Sequence, residues 1–217
     1  MKSFKLLAVV AVFVMSIAGS FAVAESNEKV AENQSPLINQ KAPDFSLSGV
    51  AGTERSLADF DGKFVVLEWV DFTCPFVRKN YDSKNQQKLQ AEFRDQGVAW
   101  LSVSSVRPGD NGYLSGKTLR VALAREKSEA ADFLIDSAGS AQRAFGVTIT
   151  PTVVLIGPDR VVRYFGAIDD QTSNAKGAAS TNYLKLAFEA EKSNHHPASS
   201  GTLAYGCPAP TTSRTER

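Results

Sequence analysis

Two cysteines, Cys74 and Cys207, are the only thiols in this 217-residue chain. Cys74 stands in VDFTCPFV, just after the apolar run FVVLEW and directly before Pro75. Proline suits the first turn of a helix, where its missing N–H costs nothing. The cysteine is therefore expected where a buried strand ends and a helix begins. There the positive end of the helix dipole and unpaired backbone N–H groups meet the sulfur, and Arg78 and Lys79 add positive charge one turn on. All three effects favour thiolate, the nucleophilic form. A buried, inert thiol is the commoner fate of a lone cysteine, but strand ends are where α/β folds present reactive groups. Cys207 lies in Tyr205-Gly206-Cys207-Pro208, within a polar tail. It reads either as a static staple or as a resolving thiol that attacks an oxidised Cys74. A disulfide closing so long a loop contributes ~5 kcal/mol in the chain-entropy account.

Pro151 is the next marker. GVTITPTVVLI places it at the mouth of a buried strand, with Thr150 ahead of it. A proline there implies an edge position or a cis bond; a trans proline opening a strand is the plainer alternative. Glu68 interrupts the apolar run and Asp71 lies three residues before Cys74. A carboxylate near a thiol relays protons, but its charge also raises the thiol pKa. Asp169 and Asp170 read as solvated or hydrogen-bonded loop acids. The two histidines, His195 and His196, are adjacent. That argues against a histidine-rich metal site and against chemistry needing a separately placed histidine base. They read as a solvated tail pair, with a copper or zinc site shared with Cys207 as the minor alternative. No resident metal and no cofactor are expected.

Composition narrows the classes further. Lys and Arg number 24 against 23 Asp and Glu, so no field draws in nucleic acid. Hydrophobic residues are 43% and charged residues 22%, which excludes wholesale disorder and a polytopic membrane protein. Two cysteines are too few for a disulfide-rich mini-protein or a four-thiolate zinc site. The N-terminus reads as an export signal, residues 1–24. Lys2 and Lys5 precede LLAVVAVFVMSIA, and Ala22-Val23-Ala24 forms a small-x-small cleavage pattern. An uncleaved anchor is the rival, marginal in length for a ~30 Å hydrocarbon core. The expectation is a bacterial periplasmic or secreted protein, with no membrane association beyond the signal. An oxidising compartment permits a Cys74–Cys207 disulfide.

The elements that must position these residues follow from patterning. Residues 25–40 are a polar, flexible lead-in, residues 41–191 a single domain, and residues 192–217 a tail carrying Cys207. KAPDFSLSG reads as an edge strand, TERSLADF as a turn-rich connection, and residues 64–69 as a strand buried on both faces. Residues 74–96 read as one helix stopped by Gly97. A strand over 98–103, a helix over 117–131, a brief strand at 133–136 and a short helix at 140–145 come next. GPD joins TVVLI and VVRYF as a hairpin, and residues 181–191 form a last helix. The order implies an α/β fold, a central mixed sheet with helices on both faces.

The segments APDFSL, SLADFDGKFVVLEW, Cys74-Pro75-Phe76-Val77, Thr150-Pro151, GPDRVVRYFGAIDD and Tyr205-Gly206-Cys207 together resemble a thioredoxin-fold redoxin. More narrowly, they are similar to the peroxiredoxin-like branch of the alkyl hydroperoxide reductase/thiol-specific antioxidant superfamily, over roughly residues 41–207. The resemblance implies a thioredoxin-like fold, a cis-proline loop at Pro151 beside Cys74, and thiol redox chemistry at Cys74. It makes Thr73, Pro75, Arg78, Thr150 and Pro151 the expected substrate contacts. The sequence departs from its relatives in two ways. Val77 stands where a Cys-x-x-Cys motif has its second thiol. Asp71 and Leu67 stand where peroxiredoxins carry the threonine and proline of Pro-x-x-x-Thr-x-x-Cys. Arg78 or Arg143 is then the candidate cation for a peroxide.

Three functions follow. In the first, Cys74 reduces a peroxide and becomes sulfenic acid, Cys207 condenses with it, and a reducing thiol partner restores both. In the second, Cys74 exchanges with protein disulfides beside Pro151. The third is a redox-inert binding or scaffold domain held by a structural disulfide.

Overall fold

The structure, a computed structural model, describes residues 35–172, 181–195, 197 and 199–210. The export signal, residues 25–34 of the lead-in, His196 and the last seven residues of the tail lie outside the described residues.

The chain order is β1 (Ser46–Gly49), β2 (Glu54–Ser56), a 3-10 turn (Leu57–Phe60), β3 (Val65–Trp69), α1 (Pro75–Asp82), α2 (Asn85–Asp95), β4 (Ala99–Ser104), α3 (Gly116–Glu126), β5 (Asp132–Ile135), α4 (Ser140–Phe145), β6 (Ile149–Thr150), β7 (Thr152–Ile156), β8 (Val162–Gly166), α5 (Tyr183–Lys192) and β9 (Cys207–Pro208). Seven strands form one sheet, ordered β2-β1-β5-β4-β3-β7-β8, and β6 pairs with β9 apart from it. β3 runs parallel to β4 and β4 parallel to β5, whereas β3 with β7 and β7 with β8 are antiparallel. The sheet is therefore mixed and the fold α/β, as the alternation of elements requires.

β3 lies at the heart of the sheet, and all five of its residues are buried. Its alternation sends Val65, Leu67 and Trp69 to the face covered by Ala141 and Phe145 of α4. Val66 goes to the other face, under Leu89 and Phe93 of α2 and Leu184 and Phe188 of α5. Helices cover both faces, so a continuous apolar run is what this strand needs. A third cluster joins α1 to α3 beneath the end of β3, where Cys74, Val77 and Tyr81 pack with Leu119 and Phe133.

Three local expectations change. β1 is not an edge strand: β2, formed from the expected turn-rich connection, pairs outside it. The single helix over 74–96 is two, because Lys84 adopts a left-handed conformation at φ 65°. The Gln87 side chain donates to the carbonyl of Tyr81 across that break, satisfying an acceptor that helix ends leave open. Helix α3 stops at Glu126 rather than 131, again through a left-handed residue, Lys127.

Glu68 is the polar exception on β3. It is 1% exposed, and its Oε2 accepts from Trp100 Nε1 at 2.8 Å, Ser102 Oγ at 3.1 Å and Gln90 Nε2 at 3.3 Å. Burial outweighs these bonds and pushes the carboxyl up to about 7. A raised acid pKa means the folded state holds a proton that the unfolded chain releases. Stability associated with this group is therefore fully present below about pH 4.5 and is lost as pH rises to about 7. The loss across that window is about 3 kcal/mol, at ~1.4 kcal/mol per pH unit. Chemical denaturation of wild type and Glu68→Gln between pH 4.5 and 8 checks this. Wild type is expected to weaken across that window, and the variant, whose amide oxygen accepts the same bonds, to lose the slope.

Candidate active site

Cys74 is the N-cap of α1 and Pro75 opens the helix. The approach loop is tightened by Asp71, whose Oδ1 accepts from the Thr73 N–H at 2.8 Å and from Thr73 Oγ1 at 2.7 Å. The Cys74 N–H donates to the Asp71 carbonyl at 3.0 Å. These bonds set the sulfur at the helix N-terminus, where partial positive charge collects. Cys74 is 2% exposed, while Thr73 and Pro75 on either side of it are exposed.

Its partner is Cys207. The two form a disulfide with Cα atoms 5.8 Å apart, across 133 residues of sequence, within the range a disulfide allows. Thr150-Pro151 is a cis peptide, and the Thr150 carbonyl oxygen lies 3.4 Å from Cys74 Sγ. In the oxidised state that sulfur has no proton to donate; reduced, it faces a ready acceptor. The loop thus brings Thr150, Pro151, Cys74 and Cys207 together, with Thr73 and Pro75 at the rim.

The tail reaches this point along a defined track. The Phe165 N–H on β8 donates to Ser200 O at 3.0 Å and the Phe165 carbonyl accepts from the Thr202 N–H at 3.2 Å, and Thr202 Oγ1 accepts from the Ala167 N–H at 3.0 Å. Farther on, Thr150 pairs with Cys207 and Ile149 with Pro208, antiparallel, and the Ala209 N–H donates to Thr148 O at 2.8 Å. Gln142 closes the track by donating to Pro210 O at 2.8 Å. Two glycines permit such close approach. A Cβ on Gly206 would stand 2.0 Å from the Thr150 oxygen, and one on Gly166 2.3 Å from the Thr202 oxygen. Both glycines have φ near 146°, a conformation side chains resist. The tail, expected to be featureless, is thus held against the body at several points between Ser200 and Pro210.

The charged neighbours do not surround the sulfur as the sequence implied. Arg78 Nη1 lies 2.7 Å from Glu126 of α3, and Nη2 pairs with Asp82. Arg143 donates to the Ala138 carbonyl at 2.8 Å and lines a cleft of about 420 Å³ beside Ile149 and Thr202. Lys79 is 7% exposed and donates to Gln171 O at 2.9 Å. Burial draws its pKa down. Asp169, read from sequence as a solvated or hydrogen-bonded loop acid, is of the second kind: it is 8% exposed and accepts from the hydroxyl of Tyr205. The spacing Tyr-x-Cys was visible in sequence, but nothing there linked it to Asp169 or Lys79. His195 is exposed, and the described residues contain no cluster of three metal-ligating side chains.

This architecture recurs in known proteins. A conserved protein from Geobacillus kaustophilus superposes with a TM-score of 0.75 at 20% identity, over 84% of this chain and 96% of that one. A hypothetical protein from Sinorhizobium meliloti 1021 gives 0.73 at 22% identity, over 83% and 97%. The thioredoxin domain of a thiol-disulfide oxidoreductase from Bacteroides vulgatus gives 0.50 at 20%, over 71% and 96%. These likenesses establish the thioredoxin-like fold. No curated protein sequence matches the chain. The profile of the AhpC/TSA family, in contrast, matches residues 38–165. That span is more than half of the sequence and contains Cys74, Thr150 and Pro151: the chain belongs to the AhpC/TSA family and is a thiol-dependent oxidoreductase.

Proposed function

We propose that the protein is an exported two-cysteine oxidoreductase that exchanges thiols with protein disulfides, with Cys74 as nucleophile and Cys207 as resolving thiol. The disulfide between them carries this reading. In the reduced protein the Cys74 thiolate, favoured at its helix N-terminus, attacks one sulfur of a substrate disulfide. The other substrate sulfur leaves as thiolate. The Cys207 thiolate then attacks Cys74 Sγ, and the substrate's second sulfur departs. Two electrons have passed to the substrate, and the internal disulfide has formed. Thr150 and Pro151 border the sulfur, and exposed Thr73 and Pro75 are the proposed rim contacts for the substrate.

A reducing thiol partner completes the cycle. Cys74 is buried under the tail while Cys207 is half-buried, so the incoming thiolate attacks Cys207. That expels Cys74 as thiolate, the better leaving group at a helix N-terminus. Export is supported by the sequence pattern of residues 1–24 and by the persistence of disulfides in oxidising compartments.

Peroxide reduction is the second reading, favoured by membership of the AhpC/TSA family. It would give sulfenic acid at Cys74, and Cys207 would condense with it, releasing water. Disulfide exchange ranks first because cleaving a peroxide needs donors aimed at the developing charge on oxygen. Arg78, proposed from sequence as a substrate contact, is bound to Glu126 and Asp82, and Asp71 brings a carboxylate to the approach loop.

Stopped-flow mixing of the reduced protein with a protein disulfide and with hydrogen peroxide separates the readings. Two thiols should be lost rapidly with the disulfide and slowly with peroxide. Cys74→Ser should abolish both reactions, and Cys207→Ser should accumulate a mixed disulfide on Cys74. Faster oxidation by peroxide would make the protein a peroxidase, and a disulfide that resists millimolar reductant in the folded protein would make it a scaffold. Gly206→Val tests resolution alone. It keeps both thiols but sets a side chain against the Thr150 carbonyl, and closure of the internal disulfide should slow at least about tenfold, for ~1.4 kcal/mol of added strain.

A further inference from the structure

The tail does not meet the body through its cysteine alone. Tyr205, two residues before Cys207, enters a notch beside α1. Its ring packs on Phe76 with centroids 5.8 Å apart at 61°. Lys79 Nζ lies 5.3 Å from the Tyr205 ring centroid, and the Tyr205 hydroxyl donates to Asp169 Oδ1. Two walls of the notch are thus charged side chains more than nine-tenths buried. An aromatic ring, a cation over a ring face and a carboxylate for the hydroxyl make a receptor for one kind of side chain. Burial keeps the Tyr205 phenol neutral, and so a donor.

None of these contacts is required for thiol exchange at Cys74, yet they fix a spacing. Phe76 lies two residues after Cys74, and Tyr205 two residues before Cys207. An extended segment whose sulfur bonds Cys74, and whose backbone pairs with Ile149 and Thr150, delivers the side chain two residues earlier to this notch. A substrate held through the same sulfur and strand edge is bound by the same register. Cys74, 2% exposed in the oxidised protein, becomes accessible to such a segment only when the tail lifts, and lifting the tail empties the notch.

We propose that Phe76, Lys79 and Asp169 form a recognition subsite for a tyrosine two residues before the reactive cysteine of an extended substrate peptide, a subsite that Tyr205 fills in the oxidised protein. The proposal rests on the disulfide-exchange reading of Cys74. It gives the tail a second task. When the Cys207 thiolate attacks Cys74 Sγ and frees the peptide thiolate, Tyr205 returns to the notch and displaces the peptide from it.

The test uses full-length reduced protein carrying Cys207→Ser and Tyr205→Ala, so that the tail neither resolves nor occupies the notch. The probes are octapeptides LAYGCPAP, LAFGCPAP and LAAGCPAP, each with its cysteine as the mixed disulfide with thionitrobenzoate. Attack by Cys74 on the peptide sulfur releases the thionitrobenzoate anion, which is read by absorbance against peptide concentration. The tyrosine peptide should half-saturate at about tenfold lower concentration than the alanine peptide, as a hydrogen bond to a charged group implies. Phenylalanine should fall between them. Adding Asp169→Asn should narrow the tyrosine-over-phenylalanine preference to within about twofold. Equal half-saturation for the tyrosine and alanine peptides, with normal reaction of Cys74 with free dithionitrobenzoate, would overturn the subsite alone. Failure of Cys74 to react even with dithionitrobenzoate would overturn the exchange reading and the subsite with it.

Discussion

A covalent bond between two sulfurs 133 residues apart organises the active face of this protein. For Cys207 to reach a cysteine buried at the end of β3, the chain must turn back after α5 and run along β8. It must then cross the loop that precedes Pro151. Each stage of that path is held by backbone hydrogen bonds: to Phe165, then to Thr150, then to Thr148. Two glycines mark where the path presses closest, Gly166 against Thr202 and Gly206 against Thr150. At both places a side chain would occupy space that a carbonyl oxygen already fills.

The electrostatics around Cys74 come from the backbone more than from side chains. The helix N-terminus supplies positive potential at short range. Of the cations next to it in sequence, Arg78 is neutralised by Glu126 and Asp82. Lys79 turns toward Gln171 and the ring of Tyr205. In the proposed exchange reaction the sulfur relies on this helix end, since Arg78 is already held by its carboxylate partners. That suits a substrate large enough to bring its own backbone to the β6 edge, since strand addition supplies affinity through main-chain bonds. The sheet beneath contributes rigidity. Its central strand is packed from both sides, and the one carboxylate on that strand, Glu68, is tied to Trp100, Ser102 and Gln90.

Much of this was legible in sequence because the signals are local. The apolar run before Cys74, Pro75 at a helix start, the proline after Thr150 and the GPD turn each act within a few residues. They locate β3, α1, the Pro151 loop and the β7–β8 hairpin. Local signals failed where a neighbour distant in sequence decides the outcome. Residues 54–56 have no marked strand pattern and become β2 because β1 offers them an edge. The helix after Cys74 breaks at Lys84 in a stretch whose composition favours continuation, with Gln87 capping Tyr81.

By itself, then, the sequence determined the candidate cysteine, the strand–proline–helix turn in which it stands, and the α/β class of the fold, because these depend on neighbours along the chain. Only the tertiary structure decided that Cys207 meets Cys74, that the tail is a docked strand, and that Tyr205, Lys79 and Asp169 converge. Those contacts join segments that periodicity and propensity describe separately. Whether they form depends on the path of the backbone between them and on the space left at two glycines.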